Sequence, residues 1–79
     1  MTKSEVFTRI QNAIDAAPRN GYVAEMHVQV IKYAQYLDGV SGREFCSELG
    51  LKSAWGTEFS KMKKIAPRLL QAGLNPDKI

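Results

Sequence analysis

Thr57, Ser60, Lys61, Lys64 and Arg68 are the residues best suited to chemistry in this chain of 79. On a helix successive residues turn by about 100°, which puts these five on one side. Two hydroxyls and three cations share that side with no carboxylate among them. Hydroxyls reach base edges or phosphates, and cations hold a phosphate backbone or read guanine. Trp55, Phe59, Met62, Ala66 and Leu69 form a narrow apolar stripe on the opposite side, so the same helix also has a packing face. The pattern implies a helix that lies in the major groove of duplex DNA. A solvated helix face is the plainer reading of the same five residues.

That helix needs a support, and residues 41–54 supply its pattern. Ser41-Gly42-Arg43-Glu44 is a capping box, in which a hydroxyl and a carboxylate satisfy free backbone N–H groups at a helix start. It opens a short helix that ends by Leu49, with Phe45 and Leu49 as its buried pair. Gly50 turns the chain and Leu51 plugs the corner. Ser53 is the expected N-cap of the reading helix, with Thr57 as the alternative one turn later. Arg43 at a helix start and Lys52 in the turn are placed to clamp phosphates, and Ser53 joins them at the contact surface. Pro67 removes a backbone donor, so the reading helix is expected to kink or break there. Arg68 to Ala72 then form a last turn, Gly73 caps it, and Leu74 to Ile79 are irregular.

The first half reads as two packing helices. Thr2-Lys3-Ser4-Glu5 fits a second capping box, and Val6, Phe7, Ile10, Ala13, Ile14 and Ala17 follow at helical spacing. Pro18-Arg19-Asn20-Gly21 ends this helix at about Ala17. Tyr22 to Leu37 carry a broad stripe of Val23, Met26, Val30, Ala34 and Leu37, widened by His27, Ile31 and Tyr33. No segment alternates in the manner of a strand. The expected fold is all-α, with four or five short helices in one domain over residues 1–79 and a helix-turn-helix at about 42–66.

Composition narrows the function. A hydrophobic fraction of 44% with 24% charged residues is that of a globular chain. A core this small often gains from oligomerisation, which favours a homodimer. One cysteine, Cys46, excludes an intrachain disulfide, and no Cys/His spacing suggests zinc. The opening MTKSEVFTRI lacks a signal-peptide core, and no apolar run spans a bilayer, so the expected location is the cytoplasm. The net charge of +3 is unevenly placed: residues 1–40 hold four Lys/Arg and four Asp/Glu, whereas residues 41–79 hold seven against four. An anionic partner is implied for the second half.

Segment 42–61 resembles the helix-turn-helix unit of bacterial and phage transcription regulators. Gly50 matches the family's turn glycine, with Leu49 and Leu51 as its apolar flanks. Phe45 and Phe59 match buried positions of the two helices, and Cys46 stands where alanine is usual, at the close helix crossing. Gly56 departs from the pattern, which has Val or Ile there; either Trp55 supplies the missing packing one residue early, or the turn is longer than standard. The resemblance implies sequence-specific binding of double-stranded DNA by Arg43, Lys52, Ser53, Thr57, Ser60, Lys61, Lys64 and Arg68, as a repressor or other regulator acting as a homodimer.

The other candidates have plainer roles. Trp55 belongs to the core more readily than to a stacking site. His27 fits a satisfied core or interface histidine, and Cys46 a buried small hydrophobe. No phosphate-binding glycine loop, nucleophile elbow or metal spacing is present, so a non-enzyme without cofactor or metal is expected. The rival function is a small protein-interaction adaptor or inhibitor that presents its basic helix face to an acidic partner.

Overall fold

The computed structural model describes all 79 residues and contains four α-helices: α1 (Lys3–Ala16), α2 (Tyr22–Tyr33), α3 (Gly42–Leu49) and α4 (Trp55–Gln71). Three short 3-10 turns, Arg19–Gly21, Ala34–Tyr36 and Pro76–Lys78, join or follow them. The fold is all-α, as the periodicity predicts. No helix is long and apolar enough to cross a membrane.

Local chemistry sets the helix ends. Glu5 N–H donates to Thr2 Oγ1 at 3.1 Å and Glu44 N–H to Ser41 Oγ at 3.0 Å, so both expected caps form. Gly50 takes the left-handed conformation at φ 64°. Leu51 N–H then donates to the Cys46 carbonyl and Gly50 N–H to the Ser47 carbonyl, which satisfies the last turn of α3.

Four expectations need correction. α2 ends at Tyr33, and a 3-10 turn carries the chain on to Leu37. That tighter turn lets Leu37 and Val40 both enter the core. Val23, placed in the apolar stripe by spacing, is 44% exposed because the first turn of α2 overhangs the core. α4 runs unbroken through Pro67. Proline there forfeits the bond to the Lys63 carbonyl, but Ala66 is fully buried beside it and Leu69 and Leu70 are half-buried. Tertiary packing on both sides of the defect outweighs one lost hydrogen bond. After Gly73 the tail is ordered by a bond from Asp77 N–H to Asn75 Oδ1 at 3.0 Å, where an irregular segment was expected.

α2 packs between α1 and α4, and α3 leans on α4. The core unites Val6, Phe7, Ile10 and Ile14 of α1 with Met26, Val30 and Tyr33 of α2, Phe45, Cys46 and Leu49 of α3, and Phe59 of α4. Phe45 sits at its centre. Its ring stacks on Phe59 at 4.3 Å and meets Phe7 at 6.5 Å and 58°. Trp55 and Met62 pack against this cluster from the rim.

Phe59 is only 1% exposed and holds α4 down through that stack. Phe59→Ala is expected to cost about 3–5 kcal/mol, a large share of a small domain's stability. Urea unfolding followed by circular dichroism measures it, and a midpoint equal to wild type would place the ring outside the core.

Candidate nucleic-acid interface

The site is built where α3 and α4 meet across the Gly50 turn. At their crossing the two backbones come close: a Cβ on Gly42 would lie 2.7 Å from the Gly56 carbonyl oxygen and 3.0 Å from its Cα. A second backbone cannot yield as a flexible side-chain tip can. This explains the glycine at position 42. A Cβ on Gly56 would meet the Gly42 backbone only at 3.4 Å, and Trp55, one residue earlier, packs on the core from its rim. Residues 50–54 separate α3 from α4.

The crossing leaves an open cleft of about 580 Å³ between the helices. Gly42 and Gly56 lie in its wall. Arg43, Ser53, Thr57 and Ser60 line it together with Ser47, and no carboxylate does. Ser60 also borders a smaller recess that includes Lys63 and Lys64. The eight residues selected from sequence, Arg43, Lys52, Ser53, Thr57, Ser60, Lys61, Lys64 and Arg68, are all exposed. Four share the cleft; Lys64 flanks it, and Lys52, Lys61 and Arg68 lie outside both concavities.

Neither Ser53 nor Thr57 caps α4. Its N-cap is Ala54, without a side-chain bond, and the Ser53 backbone carbonyl accepts from Gly56 N–H at 3.0 Å. Thr57 is the third residue of the helix and its hydroxyl makes no internal hydrogen bond. Ser60 Oγ donates to the Gly56 carbonyl at 3.1 Å, which leaves its lone pairs to accept from outside. The two hydroxyls therefore differ: Thr57 offers donor and acceptor, Ser60 an acceptor.

The cations divide in the same way. Lys63 Nζ donates to the Val40 carbonyl at 3.1 Å and lies 5.3 Å from the Phe59 ring centre, so it ties α4 to the α2–α3 connection. Lys61 Nζ is 3.7 Å from Glu58 Oε2. Arg43, Lys52, Lys64 and Arg68 have no carboxylate within 4 Å. Ser47 is the cleft residue that sequence selection missed. It stands four residues after Arg43 on α3, and helical spacing alone would have placed both on one face.

The remaining special side chains are accounted for. Cys46 is buried at the crossing, and burial pushes its thiol above the ordinary range, so it stays protonated. His27 is half-exposed rather than a satisfied core residue; its enclosed Nε2 has no hydrogen-bond partner and faces Glu58 Oε2 at 3.8 Å. No group of three or more His, Cys, Asp or Glu side chains comes together to hold a metal ion.

Comparison with protein-family models matches residues 2–72 to the family described as HTH-like domain. The match spans most of the chain, and the chain belongs to that family. Searches of curated proteins and of solved structures return no match. Membership carries a coarse functional statement, since a helix-turn-helix type of domain indicates DNA binding.

The crossing yields an asymmetric expectation. Gly42→Ala should destabilise the fold by about 1–3 kcal/mol, despite the usual helix gain from alanine, because its Cβ meets backbone. Gly56→Ala should change stability by less than about 1 kcal/mol, since its nearest contacts are 3.4 Å or longer. Thermal melts of the two variants decide it, and equal losses would mean that the helices do not meet in this way.

Proposed function

We propose that this chain is a single DNA-binding unit, a transcriptional repressor or other regulator, that binds double-stranded DNA in a sequence-specific manner with α4 in the major groove. The observation that carries the reading is the surface around the α3–α4 cleft, where hydroxyls and cations are exposed together and no carboxylate lines the concavity. Thr57 and Ser60, early in α4, face the base edges. Lys64 and Arg68, later on the same side, hold phosphates, and Arg43 and Lys52 grip the flanking backbone. Thr57 to Arg68 cover about 16 Å of helix, enough to follow a groove across several base pairs.

The regulator acts as a homodimer on a two-fold related operator. Such a dimer must hold its two copies of α4 about 34–36 Å apart to enter half-sites one helical turn apart. A cytoplasmic location accompanies the reading. A basic face that binds an acidic protein remains the competing class, and competition by random-sequence duplex separates the two.

Fluorescence anisotropy on random duplex across a salt series tests the phosphate contacts. Lys64→Ala should weaken binding to all sequences alike and flatten the log-affinity against log-salt slope by about one. An unchanged slope sinks the assignment. Thr57→Ala tests the reading contact. It should cost about 1–3 kcal/mol at one base pair of a selected operator and leave non-specific binding nearly constant. A uniform loss across operator variants would return Thr57 to the backbone contacts.

A further inference from the structure

We infer that Glu58 is a specificity-determining residue of the α4 surface, an acidic partner that withholds Lys61 from the phosphate backbone and so limits non-specific binding; this rests on the DNA-binding reading above. Glu58 follows Thr57 directly in the first turn of α4. It is the acid nearest in sequence to the basic face, and from Phe59 to Gln71 no other carboxylate occurs. Its position on the helix is between that face and α2.

The carboxylate has a nitrogen on either side. Lys61 Nζ lies 3.7 Å from Oε2 on the outer side, and His27 Nε2 of α2 lies 3.8 Å from the same oxygen on the inner side. The Nε2 atom is enclosed and no other carboxylate comes within 4 Å of it. The Glu58 side chain is 37% exposed against 61% for Lys61, so the acid is the better seated of the pair and the lysine is drawn toward it. Lys61 therefore differs from Lys64 and Arg68, which have no such partner. To reach a phosphate Lys61 must leave Glu58, and Glu58 itself repels the strand.

The consequence is selective. Binding to arbitrary sequence draws almost wholly on phosphate contacts, whereas a correct operator adds base contacts through the groove. One negative charge beside the face lowers the first contribution without touching the second.

Glu58→Gln keeps the shape and removes the charge. Against a random 20-base-pair duplex in about 0.1 M salt, it should bind about fivefold more tightly and steepen the salt slope by about one, as one more lysine meets phosphate. Lys61→Ala in the natural sequence should lower that affinity less than about twofold, and in the Glu58→Gln background it should abolish the gain. Thermal melts of each variant confirm that the fold is retained. A Glu58→Gln protein with unchanged affinity and slope, or a gain that survives Lys61→Ala, overturns the inference. Failure of the natural protein to bind random duplex at low salt would instead remove the DNA reading and this inference with it. Normal binding that is weakened by Lys64→Ala, yet indifferent to Glu58→Gln, removes this inference alone.

Discussion

The close approach of α3 to α4 at Gly42 and Gly56 is the constraint on which the rest of the structure depends. Two backbones within reach of a single Cβ fix how deeply α3 can sit, and the Phe45–Phe59 stack at 4.3 Å holds it there. Beyond the crossing the helices diverge, and the divergence is the cleft that Arg43, Ser53, Thr57 and Ser60 share. A larger residue at position 42 would separate the helices where contact is closest. The surface and the core are therefore two sides of one packing decision.

Charge follows the same division. Lys63 is partly buried against the Phe59 ring, and its bond to the Val40 carbonyl anchors the connection that leads into α3. A lysine in that place supports the N-terminal cap at Ser41 by fixing the residue before it. Lys64, one residue on, turns about 100° around the helix and stands in solvent. Adjacent lysines thus have opposite duties, one structural and one available to a partner, and helical geometry separates them. Of the seven cations of residues 41–79, Lys63 alone is partly buried and the other six are exposed.

Sequence by itself determined the parts whose causes are local. Caps at Thr2 and Ser41, the left-handed turn at Gly50 and the two-faced pattern of α4 depend on residues three or four positions apart, and spacing reports such neighbours directly. Tertiary structure alone decided the matters that rest on distant residues. Gly42 read only as part of a capping box until its partner, fourteen residues later, was seen against it. Pro67 read as a break because its local cost is plain, while the burial of Ala66 that offsets it depends on the packing of α4 against distant parts of the chain. Val23 kept its apolar spacing yet stayed exposed, because periodicity marks a face and not how far the core extends beneath it. Lys63 and Lys61 carry the same charge on one helix as Lys64 does. Only the carbonyl of Val40, and Glu58 with His27 behind it, set them apart, since what a side chain is free to bind depends on what the fold has already placed beside it.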